Sequence, residues 1–283
     1  MNKMKISACI ITYNHENFIR ECLEGAINQS VNFEYEIVIG EDNSSDKTRE
    51  ICCEYAEKYP NLIKFFPREK NIGMIGNWTK TIQNCQGKYI ALCEGDDYWT
   101  DPLKLQKQVD FLEANADYVI CFHKVDVLQD GVIEEETITA KVPETTSIND
   151  LAKGNYMHTC SVVYRNNLFS ELPEYFNQSP VGDYFLHLLN ARYGAIRCFD
   201  EIMGVYRVHG TSVWSSKTQE ERESIWVPFL KNIKPNFDKE VQDVLNAQIA
   251  FYTKSEEKKD FVWNARNIKN KIIQKLKRLI QLY

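Results

Sequence analysis

The sequence predicts an α/β protein: a doubly wound, mostly parallel sheet followed by a helical C-terminal extension. Three observations lead there. Short apolar, β-branched runs alternate with amphipathic stretches of about a dozen residues, the pattern of strand–helix–strand units. The early runs end in polar turns, where the strands of such a sheet present ligand groups. Beyond Ser215 the apolar spacing is mainly helical.

In order, Lys5–Thr12 reads as a first strand, Tyr13–Glu16 as a polar turn and Phe18–Gln29 as a helix with Phe18, Ile19, Cys22, Leu23 and Ile27 on its apolar face. Glu36–Gly40 is a second strand, followed by a turn rich in helix-capping residues, Glu41–Asp46, and a helix over Lys47–Tyr59. Leu62–Phe66 is a third strand, and Met74–Cys85 a helix. Tyr89–Cys93 is a fourth, wholly apolar strand, as expected where both faces are covered. It runs straight into Glu94-Gly95-Asp96-Asp97. Pro102 then stands near the start of a helix over Leu103–Asn115, with Thr100 or Asp101 as the expected cap. Tyr118–Val127 is a further strand.

After Gly131 the pattern loosens. Val132–Val142 reads as an extended excursion and Ser147–Lys153 as a short helix with Ser147 and Asp150 at capping-box spacing. Thr159–Arg165 is a strand, Leu168–Pro180 an irregular loop, and Gly182–Arg192 a helix. Ile196–Phe199 and Ile202–Val208 read as two strands.

Composition narrows the function. The formal net charge of −6 disfavours nucleic acid as a partner. Nine cysteines without a C-x-x-C pair or metal-ligand spacing read as reduced core residues, which suits a cytoplasmic location. Met1–Lys5 leads directly into a strand, and no run of 18 apolar residues is present. The segment 264–283 carries six Lys and Arg and no acid, leaving −12 for the other 263 residues. Its Ile268, Ile272, Leu276, Leu279 and Ile280 make it a basic amphipathic helix, suited either to an anionic membrane surface or to packing on its own domain.

Chemistry concentrates at the strand ends. Neither G-x-G-x-x-G nor G-x-x-x-x-G-K-[ST] occurs, so carboxylates rather than glycines await the ligand. Glu94, Asp96 and Asp97 fall within four residues and repel one another unless a cation joins them. A solvated acidic turn is the bland alternative, and the buried strand immediately before it argues against that.

Five motifs in sequence, I-I-T-Y-N, G-E-D-N-S-S-D-K-T, E-G-D-D, G-D-Y-F and Y-R-V-H-G-T-S, resemble glycosyltransferase family 2 over about Lys5 to Trp214. These are inverting enzymes with the GT-A fold, a Rossmann-like arrangement, and the resemblance is to the bacterial cell-surface polysaccharide type. It implies a glycosyltransferase domain over residues 1–215, with a nucleotide-binding half over 1–127 and an acceptor half over 128–215, and a helical region over 216–283. The donor it implies is a nucleotide sugar, most simply a UDP-sugar, and the acceptor a glycan or lipid-linked saccharide. The expected place is the cytoplasm, peripheral on the inner face of the plasma membrane.

Residue by residue, the resemblance puts Thr12 and Tyr13 at the nucleotide, with Glu41 or Asp42 facing the base. Asp46 reads instead as a helix cap. Asp96 and Asp97 would hold Mg2+ or Mn2+, one directly and the other through the ribose or a metal-bound water; oxygen ligands select these ions over zinc. Glu94 stands where the family more often has Asp and comes second. His209 is a further candidate ligand, and Arg207 a candidate for the pyrophosphate. Asp183, at the start of its helix, is the expected general base, with helix capping as the competing role. His158 would shape the acceptor pocket, and Trp99 would form a wall or belong to the core. His15, His123 and His187 show no partner in the sequence and read as structural or surface residues. A nucleotidyltransferase would need a basic, glycine-rich loop after the first strand, which Tyr13-Asn14-His15 does not supply. A non-catalytic nucleotide-binding module would not need both Asp183 and the acidic cluster.

Overall fold

The computed structural model describes residues 4–210, 214 and 217–253. The basic segment 264–283, and Thr211 and Ser212 of the last motif, lie outside the described residues. The chain divides into two compact units, Met1–Thr218 and Gln219–Tyr283.

The first unit begins with β1 (Ile6–Thr12), α1 (Ile19–Ile27), β2 (Tyr35–Glu41), α2 (Thr48–Lys58), β3 (Ile63–Pro67), α3 (Met74–Ile82) and β4 (Tyr89–Glu94). It continues through β5 (Tyr98–Trp99), α4 (Lys104–Ala114), β6 (Tyr118–Gln129), β7 (Val132–Glu134), β8 (Thr145–Thr146) and α5 (Ile148–Leu151). It ends with β9 (Val163–Arg165), α6 (Gly182–Ala191) and β10 (Ala195–Val208). The sheet order is β3-β2-β1-β4-β9-β6-β10-β5, with β7 on β6 and β8 on β10. β1 is parallel to β2 and β4, β2 to β3, and β6 to β10; the short β9 is antiparallel to both its neighbours and joins the two parallel halves.

Strand alternation builds the two layers. Ile6, Ala8 and Ile10 of β1, with Ile37 and Ile39 of β2 and Tyr89, Ala91 and Cys93 of β4, pack in one core with Ile19 and Leu23 of α1, Ile51 and Tyr55 of α2, and Leu105 and Val109 of α4. α3 and α6 belong to the opposite layer. Gly182 opens α6 where an added Cβ would lie 2.4 Å from Ile75 Cδ1 and 2.9 Å from the Trp78 ring, so glycine is what lets α6 approach α3.

Several expectations change. Thr159–Arg165 divides into a 3-10 turn, Thr159–Ser161, and the three-residue β9. Ile196–Phe199 and Ile202–Val208 are one strand, β10, whose register against β6 slips in three places. Val132–Val142 supplies only the short β7, and Glu174–Gln178 makes a 3-10 turn within the stretch read as loop. Neither Thr100 nor Asp101 is the N-cap of α4; Leu103 is, and Asp101 Oδ1 accepts its N–H at 2.8 Å. The Ser147–Asp150 capping box is formed.

In the second unit α7 (Gln219–Ile233) buries Val227, Phe229, Leu230 and Ile233, and Trp226 Nε1 donates to Gln248 Oε1 at 2.8 Å. No helix among the described residues is long and apolar enough to cross a membrane.

Candidate active site

β1 turns to β2 on one side and to β4 on the other, so the crevice between the ends of β1 and β4 is the switch point of the sheet. Two turns line it. The Tyr13–Glu16 turn is buttoned to the turn after β2: Asn14 N–H donates to Ser44 Oγ at 2.9 Å, Asn14 Oδ1 accepts from Ser45 N–H at 2.9 Å, and Asp46 Oδ2 accepts from Glu16 N–H at 3.0 Å. Asn14 and Asn43 sit at φ of 56° and 60°, a left-handed conformation that asparagine tolerates. Asp46 also accepts from Thr48 N–H at 2.9 Å, so its carboxylate serves the start of α2 and the facing turn together. Tyr13 is left 43% exposed at the rim, while Thr12 is buried with its hydroxyl 3.3 Å from His15 Nδ1.

Glu41 and Asp42 are distinguished by their partners. Glu41 is fully enclosed, paired with Arg49 Nε and accepting from Ser44 N–H, so it braces the turn and offers no free edge to a base. Asp42 is also buried and accepts from Ile72 N–H at 2.9 Å, which holds the Asn71–Gly73 loop beside it. Burial raises its carboxyl above the usual range, against the pull of the Ile72 and Gly73 backbone.

The acidic loop leaves β4 across from this turn. Gly95 N–H donates to Ile11 O at 2.8 Å, and a side chain at Gly95 would meet Thr12 Oγ1 at 2.5 Å, so glycine is required for the loop to pass. Asp96 Oδ2 lies 3.0 Å from His209 Nε2 and 3.8 Å from His15 Nε2. Burial alone would lift the Asp96 carboxyl, but the His209 bond and the His15 ring outweigh it and hold it below the usual range. Asp97 Oδ1 accepts from Arg207 N–H at 2.8 Å, whereas Asp97 Oδ2 is buried without a hydrogen-bond partner. Burial, then Asp96, pushes the Asp97 carboxyl well up.

An unpartnered buried carboxylate oxygen beside a second carboxylate is a setting that fits a hard cation. Among the described residues no group of three or more His, Cys, Asp and Glu is placed to hold one. Mg2+ and Mn2+ are commonly held by one or two carboxylates and complete their shell with substrate phosphate oxygens and water. Asp96 and Asp97 are the two carboxylates that would meet such an ion, while His209 Nε2 lies on Asp96 Oδ2 at 3.0 Å.

The remaining residues sort by contact. Arg207 does not present itself to a ligand: its guanidinium lies between the Phe18 and Tyr98 rings, 4.8 and 4.9 Å away, and donates to Asp96 O and Glu21 Oε2. It clamps the acidic loop to α1. Trp99 is a core residue, 4% exposed, with its indole N–H on Cys160 O at 2.8 Å and Lys104 Nζ over its ring at 4.1 Å. His158 is buried, with Nε2 3.1 Å from Glu136 Oε1 and its ring against Tyr206. His15 is the residue that sequence reasoning missed. It faces Asp96 and packs edge-on to His209 at 6.3 Å, and burial lowers its pKa. Its place within the I-I-T-Y-N-H turn was the available signal. His123 and His187 are fully buried, as a structural role requires.

Asp183 occupies the first turn of α6 without capping it, because the cap position is Val181. Its Oδ2 accepts from Asn155 Nδ2 at 3.1 Å. Burial raises its carboxyl, opposed by the backbone N–H of Tyr184, by Asn155 and by the Thr159 hydroxyl. Glu94 is raised further, by burial, then by Asp97, Asp96 and Asp183, with Thr159 again opposing.

Residues 7–172 match the sequence model of Glycosyl transferase family 2. An uncharacterized protein of Mycobacterium tuberculosis is 39% identical over 220 residues, 77% of this chain and 63% of that protein. The chain therefore spans about two thirds of the length of the mycobacterial relatives it matches. TuaG of Bacillus subtilis, named for teichuronic acid biosynthesis, is 25% identical over 228 residues, 80% of this chain and 87% of TuaG. Among solved structures, Staphylococcus aureus TarS with UDP-GlcNAc superposes with a TM-score of 0.65 at 20% identity, covering 88% of this chain and 72% of that one. The mannosyltransferase PcManGT of Pyrobaculum calidifontis, with GDP-Man and Mn2+, gives 0.63 at 12% identity, covering 87% and 69%. At these identities the structures establish the fold alone, which is that of GT-A glycosyltransferases.

Proposed function

The chain belongs to glycosyl transferase family 2, and on that premise we propose that it transfers a glycosyl group, with inversion, from a nucleotide sugar to a hydroxyl of a glycan or lipid-linked saccharide in cell-surface polysaccharide synthesis. The name of TuaG supports the pathway, and the UDP-GlcNAc bound by TarS supports a UDP-sugar as donor. The observation that carries the reading is the placement of Asp96 and Asp97 at the carboxyl end of β4, with Asp97 Oδ2 buried and unpartnered, together with a further carboxylate, the half-buried Asp183 in the first turn of α6, held by Asn155.

Tyr13, exposed at the crevice rim, stacks on the base, and Asp42 with the Ile72–Gly73 backbone borders the base edge. Asp96 and Asp97, with His209 beside Asp96, would hold Mg2+ or Mn2+, which would supply positive charge for the departing diphosphate. Arg207 keeps the acidic loop in place by bonding Asp96 O and Asp97 Oδ1. Asp183 takes the proton of the acceptor hydroxyl as its oxygen attacks the anomeric carbon opposite the leaving group. Inversion follows from a single displacement. His158 borders the acceptor side, with Glu136 fixing its ring. The basic segment 264–283 holds the enzyme at the inner face of the membrane, where a lipid-linked acceptor is met.

A panel of UDP- and GDP-sugars incubated with the protein and Mn2+ tests this. Release of nucleoside diphosphate from at least one sugar, lost with EDTA and in Asp97→Ala, is expected. No release from any, or release indifferent to EDTA, overturns the metal-dependent reading.

A further inference from the structure

A base that is to accept one proton from one hydroxyl must be held in both position and rotation, to within about 0.5 Å and 10–20°. The segment between α5 and the Thr159–Ser161 turn does this for Asp183. Asn155 Oδ1 accepts from Met157 N–H at 3.2 Å, which settles the amide's orientation and turns Nδ2 outward. Nδ2 then meets Asp183 Oδ2 at 3.1 Å. The segment is tied to α6 independently, because the Tyr184 hydroxyl donates to Leu151 O at 2.8 Å. The other groups facing Asp183 are Glu94 from β4, the Thr159 hydroxyl and the first backbone N–H groups of α6. From α3, Gly182 meets only the apolar Ile75 and Trp78.

We propose that Asn155 is a positioning residue for the transfer reaction: its fixed amide donor binds Oδ2 of Asp183 and sets the plane in which the carboxylate meets the acceptor hydroxyl. Asn155 touches no reacting atom and acts through Asp183. The inference rests on the reading of Asp183 as general base.

The test uses the full chain with Mn2+ and the nucleotide sugar that the panel shows to be hydrolysed fastest. Asn155→Ala lowers kcat about 10- to 100-fold, the loss expected for a misplaced catalytic group, with the donor KM and the Tm little changed. Asn155→Asp has the same shape and keeps an acceptor for Met157 N–H, but it turns an oxygen on Asp183; its kcat falls below that of Asn155→Ala. Asn155→Gln, which retains an amide donor, recovers part of the loss. A purely structural role would instead leave the isosteric Asn155→Asp close to wild type, and should Asn155→Ala lose Tm, Asn155→Asp decides. Wild-type kcat in Asn155→Ala or in Asn155→Asp overturns the proposal. Asp183→Asn separates the two failures: an active Asp183→Asn removes the base reading and this inference with it, whereas an inactive Asp183→Asn beside fully active Asn155 variants removes only the positioning role.

Discussion

If Asp183 is the base proposed above, its surroundings set both the pH range of activity and a cost in stability. Burial lifts its carboxyl, and the hydrogen bonds it accepts return only part of that shift. The base must be ionised to act, so activity falls as the pH drops through this raised pKa. The acid limb of the kcat/KM profile is therefore expected above the ordinary aspartate value of about 3.9. The stability sign is the opposite one. A folded-state pKa above the unfolded value means that raising the pH through that interval costs stability, because the unfolded chain ionises more readily. Asp183→Asn should therefore lose about 10²- to 10⁴-fold in kcat while its Tm at pH 7 equals or exceeds that of the wild type. A matched loss of Tm and rate would assign Asp183 to the scaffold instead. The acidic loop, the E-G-D-D motif and Asp183 were legible in the sequence because each is a short motif beside a recognisable element. His15 was not, because Asp96 and His209, which give it meaning, are remote in sequence. Glu41 and Asp42 are adjacent and chemically alike, and only Arg49 and Ile72 tell them apart.

At the scale of elements, α4 carries a charge where helices of this kind bury aliphatic groups. Lys104 is fully buried, donating to Gln108 Oε1 at 2.8 Å and lying over the Trp99 ring. Gln108 in turn donates to Ser161 O at 3.0 Å, so the lysine indirectly steadies the turn that bears Thr159. Burial lowers the Lys104 pKa to about 8. Between pH 8 and the unfolded value of about 10.4 the unfolded chain holds this proton and the folded chain does not, so stability rises with pH across that window. Lys104→Met, which keeps the stem over Trp99, should abolish that rise when Tm is followed from pH 7 to 10. An unchanged rise would place it on another group. The helix itself was plain from Leu105, Val109 and Leu112, and periodicity could not reveal that Lys104 lies on the buried side. The same limit hid Trp99, which reads alike as pocket wall or core until Cys160 O is found beside its indole. The antiparallel direction of β9 was also out of reach, since a three-residue strand, Val163–Arg165, carries no sign of its polarity.

For the whole molecule, charge is the property that composition reads best. The chain totals −6, yet the 20 residues 264–283 alone carry +6, so an otherwise acidic protein holds one strongly basic stretch. Evenly spread, these charges would do little at physiological ionic strength, where the Debye length is about 8 Å. Gathered on one segment, each is worth about 1 kcal/mol against an anionic bilayer surface. On the proposed membrane reading the same field would repel the acidic remainder, so the segment would set the orientation of the encounter as well as its strength. Removing residues 264–283 should abolish cosedimentation with vesicles containing phosphatidylglycerol, leave phosphatidylcholine vesicles unbound as before, and spare hydrolysis of a soluble nucleotide sugar. Binding of the intact chain should fall steeply as salt is raised from 50 to 500 mM, because the attraction is screened. Vesicle binding that survives both truncation and salt would point to apolar contacts elsewhere, and equal loss of hydrolysis on truncation would make the segment part of the catalytic fold.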